Sequence, residues 1–359
     1  MPVRPPDIVG IDQIGCFADL IDVRSPSEFA DDHLPGARSH PVLDDAERAE
    51  IGTLHVQHSA FEARRRGAVL VARNIARHVE TAFAGMSPAW HPLVYCWRGG
   101  KRSRAMALVL REIGWHASLL EGGYKTYRRA VIELLERRPA EFRFLVLCGE
   151  TGSAKSALLA ALARAGAQVL DLESLASHRG SVLGDLPHRP QPSQRSFESG
   201  LATALRGLDP ARPVFVESES RKIGNLHVPP ALIAAIRAAE CIRISAPREA
   251  RVGHLLREYR RLGADPTAVA ARLEFLIPLH GAERVERWQR QVAAGDLAGF
   301  VADILEQHYD PAYHRSMARN FRRLAEAGDL TLESLEEPVL EQAATGLVLA
   351  YRSAITLMC

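Results

Sequence analysis

Lysine is almost missing from this chain. Of 45 lysines and arginines in 359 residues, only four are lysine, at positions 101, 125, 155 and 222, and 41 are arginine. Where arginine is the default cation, a lysine marks a place that needs a compact point charge. Two of the four lie in glycine-rich loops. Cysteine is sparse as well: Cys16, Cys96, Cys148, Cys241 and Cys359 are scattered, with no CxxC pair. That excludes a small disulfide scaffold and the usual zinc spacings, and points to a reducing, cytoplasmic setting. No run of 18 apolar residues occurs, and the first residues lack the basic-then-apolar order of an export signal. Neither a membrane span nor a leader is expected. A net charge of +2 is too small to announce a nucleic-acid binder, so any such role falls to local arginine clusters.

What is present suits a globular protein. With 47% hydrophobic and 25% charged residues the chain can bury a core, and its length suits two domains. "LIDV" reads as a strand, "SPSEFADDH" as a helix start and "LPGA" as a turn. Residues 44–84, charged and alanine-rich, read as two or three helices before the next strand, "LVYC". After Cys96 come the loop "WRGGKR", a helix over about 103–113, a short strand "ASLLEGG" and another helix. This alternation predicts an α/β sheet with helices on both faces. Cys96 then ends a strand whose loop feeds a helix, so the amides of Gly99 and Gly100 and the side chains of Arg98, Lys101 and Arg102 would surround its sulfur. Such a cradle lowers a thiol's pKa and binds a tetrahedral anion above it. An exposed thiol of that kind should alkylate fastest of the five. The alternative reading is a buried structural cysteine.

The second loop opens a second unit. "EFRFLVLCGETGSAKSALLAALARAG" gives a strand, a loop and a helix that starts near Lys155, the context a phosphate-binding loop requires. Gly149, Thr151, Gly152, Ser153, Ala154, Lys155 and Ser156 would hold a diphosphate, with Ser156 placed for magnesium. Ala154 stands where the G-x4-G-K-S/T pattern has its second glycine, and its methyl is expected to crowd backbone and ligand. Further strands are expected to end at Asp171 and Glu173 and at Glu217 and Glu219, where acidic residues face a ligand crevice. With His178 and Arg179 these are candidates to hold magnesium or orient a substrate; the other reading is solvated strand ends. "CIRISAP" reads as a fourth strand, and residues from about 248 to 359 as helical. There Arg248, Arg251, Arg257, Arg260 and Arg261, and "RNFRRL" at 319–324, are candidates for nucleic-acid contact or for solvated helix faces.

"DVRSPSEF", "HLPGA", the Cys96 loop and "LEGGY" resemble a rhodanese domain, whose loop cysteine carries sulfur as a persulfide. Cys96 to Arg102 is C-x5-R, longer than the common rhodanese loop and similar to rhodanese-fold phosphatases. A rhodanese-like unit over 1–138 followed by a P-loop unit over 139–359, with "DLESLASHRGS", "QPSQRSFES" and "VESESRKIG", resembles the tRNA 2-selenouridine synthase family over nearly the whole chain. The resemblance implies a transferase acting on 2-thiouridine at the tRNA wobble position. It would attach a geranyl group from geranyl diphosphate to the sulfur, then replace S-geranyl with selenium from selenophosphate. Cys96 would carry the selenium, the loop at 149–156 would hold the prenyl donor's diphosphate, and a selenophosphate-producing enzyme would be a partner. The competing reading is a rhodanese-fold phosphatase or sulfurtransferase with a regulatory nucleotide-binding domain.

Overall fold

The structure, a computed structural model, describes residues 7–180, 184, 189–258 and 266–356. It divides into two compact units, Met1–Leu134 with Pro192–Thr203, and Leu135–Gln191 with Ala204–Cys359. No local pattern in the sequence signals that 192–203 belongs with the first.

In the first unit, β1 (Ile8–Val9), β2 (Asp19–Asp22), β3 (Ala37–Ser39), β4 (Pro92–Tyr95) and β5 (Ser118–Leu120) form an all-parallel sheet in the order β1-β5-β4-β2-β3. The helices are α1 (Pro26–Asp31), α2 (Asp45–Gln57), α3 (Ala60–Glu80), α4 (Lys101–Ile113) and α5 (Tyr124–Arg137). Their starts are written locally. Pro26 opens α1 behind Ser25, the Asp44 carboxylate accepts from Glu47 N–H at the head of α2, and Ser59 caps α3. Ile21, Val94, Cys96, Met106 and Leu110 share one buried cluster.

Beside that core lies a polar knot. Arg24 and Asp22, 1% and 0% exposed, pair at 2.6 Å. The same guanidinium donates to the Asp32 carbonyl and lies 4.0 Å from the centre of the Tyr124 ring, whose hydroxyl donates to Asp32. Every buried charge here has a partner, so losing one side would leave the other unpaired at a cost of about 3–5 kcal/mol.

The second unit holds β6 (Phe144–Gly149), β7 (Gln168–Leu170), β8 (Val214–Glu217), the two-stranded ribbon β9 (Lys222–Ile223) and β10 (Leu226–His227), β11 (Glu240–Ser245) and β12 (Gly328–Thr331). The main sheet is again parallel, in the order β12-β11-β6-β8-β7. Its helices are α6 (Lys155–Arg164), α7 (Leu172–Ala176), α8 (Gln194–Arg206), α9 (Pro230–Ala238), α10 (Arg248–Glu258), α11 (Pro266–Leu273), α12 (Ile277–His280), α13 (Ala282–Ala293), α14 (Leu297–Ile304), α15 (Asp310–Asn320) and α16 (Glu337–Thr356). The first ten residues of α8 fall in the first unit. Leu145, Leu147, Phe215 and Ile244 pack against Leu158 and Leu162 of α6 and Leu340 and Ala344 of α16. A separate helical cluster forms around Trp288, Phe300 and Leu305.

Two expectations are corrected. The region from 248 onward is not wholly helical, because "GDLT" forms β12; that strand is mostly exposed and carries no apolar alternation to announce it. Asp171 and Glu173 do not end a strand: β7 stops at Leu170, Asp171 caps α7 by accepting from Ser174 N–H at 2.7 Å, and Glu173 lies in that helix. Glu217 does end β8, with Glu219 in the loop beyond.

The loop below Cys96 yields a stability prediction. Gly123 has φ +60°, and a Cβ there would stand 2.2 Å from the Cys96 carbonyl oxygen and 2.6 Å from Gly99 N, both backbone. Gly36 has φ +80° with nothing within 4 Å. Gly123→Ala is therefore expected to cost about 3 kcal/mol or more and Gly36→Ala about 1 kcal/mol in urea unfolding. Equal costs would refute the close approach.

Candidate functional site

β4 delivers Cys96 to the C-terminal edge of the first sheet, where ligands of open parallel sheets bind. Its sulfur accepts from Gly100 N–H at 3.2 Å and lies 3.2 Å from the Ser103 hydroxyl. Its carbonyl accepts from Tyr124 N–H at 2.9 Å. Gly99, at φ +62°, lets the loop turn, and Gly100 heads α4 without a side-chain cap. Arg98 and Lys101 are exposed and form no ion pair among the described residues. Arg102 does: it donates to Glu28 at 2.8 Å, and Arg48 reaches the same carboxylate at 3.2 Å. Burial pushes the Glu28 carboxyl up, but Arg102, the Ser25 N–H and Arg48 act together against it and the net shift is downward.

The thiol is not exposed. Cys96 is 3% accessible, because strand alternation puts it on the face of Val94, against Met106. The expectation of an exposed, fast-labelling cysteine is thereby corrected: the sulfur forms the floor of the loop.

In the second unit, β6 runs into the loop of Gly149–Ala154. Gly152 takes φ +82° and Ala154 takes φ 59°, ψ 31°, the left-handed region, which costs a non-glycine residue about 1–2 kcal/mol. The Ala154 side chain is 5% exposed and joins the cluster with Leu158, so its methyl packs inward rather than crowding the loop's open side. Lys155 Nζ donates to the carbonyls of Gly149 and Glu150 at 2.6 and 3.3 Å. Ser153 N–H bonds Glu150 O at 3.1 Å, tightening the turn.

An acidic relay flanks the lysine. Ser156 Oγ donates to Glu173 at 2.7 Å, and Glu173 N–H donates to Glu217 at 2.9 Å. Glu217 is 1% exposed and its other oxygen has no hydrogen-bond partner. Burial, then Asp171, pushes the Glu217 carboxyl far above the usual range. Burial, then Glu173, pushes Glu219 up to about 8. Burial raises Asp171 and lowers Lys155, in the lysine's case against the pull of Glu219 and Glu173.

Lys155, Ser156, Asp171, Glu173 and Glu219 line one cavity of about 610 Å³, with Glu217 buried behind it. Thr151, Lys155, Ser156, Glu173, His178 and Arg179 give it a polar end; Leu255, Tyr309, Ala312, Tyr313, Met317 and Phe321 give it an apolar wall. Arg179 pairs with Glu258 at 2.6 Å, and His178 Nδ1 accepts from Gly180 N–H.

The arginine cluster expected to touch tRNA is placed differently. Arg251 is buried, donating to the Thr151 carbonyl, Glu150 and Asp310, so it ties the phosphate loop to α15 and is corrected to a structural role. Arg248 pairs with Glu306 and Arg257 with Glu336, each at 2.9 Å. Arg260 and Arg261 lie outside the described residues. Sequence reasoning missed the Arg251 latch and the apolar wall; the only local trace of the wall is the helical spacing of Tyr313, Met317 and Phe321.

Residues 11–130 match the rhodanese-like domain, and residues 142–271 match the tRNA 2-selenouridine synthase AAA domain. A tRNA 2-selenouridine synthase of Shewanella loihica is 33% identical over 341 residues, covering 86% of this chain and 90% of the relative. The chain belongs to the tRNA 2-selenouridine synthase family. The synthase of Nitrosomonas europaea is 37% identical over 285 residues, 77% of this chain and 72% of the relative. That of Cupriavidus pinatubonensis is 34% identical over 346 residues, 86% and 92%. Cys96 falls in the first matched region of this synthase-family chain, and Lys155, Glu173, Glu217 and Glu219 in the second.

Two measurements follow. Because Cys16 is exposed and Cys96 is on the loop floor, brief iodoacetamide treatment with peptide mapping should label Cys16 first; faster labelling at Cys96 would contradict its burial. Glu219, raised from 4.5 to about 8, binds more protons folded than unfolded between those values. Its contribution is fully present below about pH 4.5 and is lost as pH rises through about 8. Wild-type stability relative to Glu219→Gln should therefore fall across that window in paired urea titrations, and a flat difference would refute the shift.

Proposed function

We propose that the chain converts 2-thiouridine at the tRNA wobble position to 2-selenouridine through an S-geranyl intermediate. The observation that carries the reading is the cavity on the phosphate loop, which combines a lysine-bearing polar end with an apolar wall. A prenyl diphosphate has that same division. Its diphosphate would lie on the loop amides and Lys155, and its chain along Tyr313, Met317 and Phe321. The uridine sulfur attacks the first prenyl carbon, the C–O bond breaks, and diphosphate leaves with the electron pair while the base loses its N3 proton. Lys155, a preorganised cation, stabilises the charge that develops on the leaving group. Ser156 and Glu173 are oxygen donors lining the cavity that suit magnesium and would hold it here; the ion's chemistry is to neutralise the diphosphate.

The second step belongs to Cys96. Its thiolate attacks C2 of the geranylated base, the C2–S bond breaks and geranylthiol leaves; selenophosphate, its anion favoured by the Gly100 N–H and by Arg98 and Lys101, then attacks C2 through selenium and returns the Cys96 thiolate. Water attacks phosphorus, the P–Se bond breaks and phosphate departs, leaving 2-selenouridine with no oxidant or reductant consumed. A selenophosphate-producing enzyme is the natural supplier, and the cytoplasm the natural compartment. Among the described residues no helix is long and apolar enough to cross a membrane.

The test separates the loops. Cys96→Ser with thiolated tRNA and geranyl diphosphate should still give S-geranyl tRNA that goes no further. Lys155→Ala should slow geranylation about a hundredfold to a thousandfold, yet tRNA supplied already geranylated should still accept selenium. Mass analysis of the wobble nucleoside reads both. Loss of geranylation in folded Cys96→Ser equal to that in Lys155→Ala would overturn the division.

A further inference from the structure

The second unit carries another basic cavity, which shares no lining residue with the phosphate-loop cavity. It measures about 440 Å³ and is lined by Ile233, Ala234, Arg237 and Ala238 of α9, by Arg319 and Asn320 at the end of α15 and by Arg322 just beyond it. Met317 faces the phosphate-loop cavity; two residues further along a helix is roughly the opposite side, which is where Arg319 lies.

Three features mark this second cavity as an anion site. None of its lining residues is acidic, and among the described residues Arg237, Arg319 and Arg322 form no ion pair. Nearby arginines of the same unit are neutralised: Arg143 by Glu240, Arg243 by Asp329 and Arg323 by Glu326. Arg237 Nε is buried with no hydrogen-bond acceptor, a donor an incoming oxygen would satisfy. Guanidinium groups present paired N–H donors that match phosphate oxygens.

The choice of occupant follows from what surrounds the cations. Arg319 and Arg322 are exposed, and wet guanidinium groups hold a single small ion weakly. A polyanion instead sums contacts along its backbone and releases counterions. The remaining lining offers little to read bases: Ile233, Ala234 and Ala238 are apolar, and the Asn320 amide N–H donors are spent on Ser316, leaving its carbonyl oxygen as a lone acceptor. We propose that Arg237, Arg319 and Arg322 dock a sugar-phosphate segment of the tRNA, positioning it without reading its sequence. This rests on tRNA being the substrate, and it adds Arg237 of α9 to an arginine run at the end of α15 that the sequence could only mark as charged.

The full chain is titrated with 2-thiouridine tRNA between about 50 and about 200 mM salt, as wild type and as Arg237→Gln/Arg319→Gln/Arg322→Gln. The triple variant should bind at least about tenfold more weakly at ~0.1 M salt, with the log–log salt slope flatter by about two units, and with the same loss on an unrelated tRNA. Wild-type affinity and slope in the folded variant would overturn the docking site alone. Displacement of tRNA from the wild type by about 1 mM inorganic phosphate at constant ionic strength would overturn it in favour of a small-anion site. A wild type that binds no tRNA would overturn both this inference and the substrate reading. If the triple variant fails to fold by circular dichroism, Arg319→Gln/Arg322→Gln, both exposed, carries the test with a slope change of about one unit or more.

Discussion

The helices that follow the two glycine-rich loops, α4 and α6, begin without a side-chain cap. The first turn of any helix leaves amide donors with no partner inside it, and these are normally met by a serine, threonine or aspartate at the start. At α4 the starting residue is Gly100 and at α6 it is Ala154, and neither provides a side-chain bond. α2, α3 and α7 are capped by Asp44, Ser59 and Asp171. α9, α13 and α15 also start without one, but α4 and α6 follow Cys96 and the phosphate loop, and what surrounds them keeps their donors open. At α4 the Cys96 sulfur takes one amide, while Tyr124 N–H holds the cysteine's carbonyl from behind. At α6 the buried Arg251 grips the Thr151 carbonyl and Glu150, so the loop stays formed without a ligand's help.

Charge balance decides what the second loop can accept. Asp171, Glu173, Glu217 and Glu219 would repel a diphosphate if all were ionised. Burial weakens that repulsion by favouring the neutral form of Glu217, Glu219 and Asp171. Lys155 feels the opposite pressure from the same burial and spends its donors on the Gly149 and Glu150 carbonyls. An anion entering the loop gives the ammonium a charged partner and favours its protonated form. The two effects act together, since protonated carboxyls and a charged lysine are both what a leaving diphosphate needs.

The strand-loop-helix units were legible because their signals are local: β-branched runs, glycine turns and caps lie within a few residues of one another. The scarcity of lysine made Lys155 stand out before any fold was known. What the sequence hid was long-range. Arg251 sits in an arginine-rich helix indistinguishable by composition from a solvated one, and only the approach of Glu150, about a hundred positions away in the chain, makes it a buried strut. β12 is short and exposed, and its pairing with β11 spans more than 80 residues. The depth of Cys96 was partly written in the sequence, since it shares a strand face with Val94, but the basic loop beside it suggested an exposed thiol.

That depth also bears on the rival phosphatase chemistry. A C-x5-R loop that cleaves phosphate esters uses its arginine to clamp the phosphoryl group over an accessible sulfur. Here the arginine of that spacing, Arg102, is held by Glu28, which Arg48 also contacts, so its guanidinium is already neutralised within the protein. The cations left without carboxylates are Arg98 and Lys101, exposed at the rim rather than closed over the sulfur. An exposed rim of charge above a recessed thiol suits brief capture of an anion. It suits poorly the tight bidentate grip that phosphoryl transfer demands. The same recess, lined by Val94 and Met106, limits water at the sulfur, so a bond made to it would be shielded from hydrolysis.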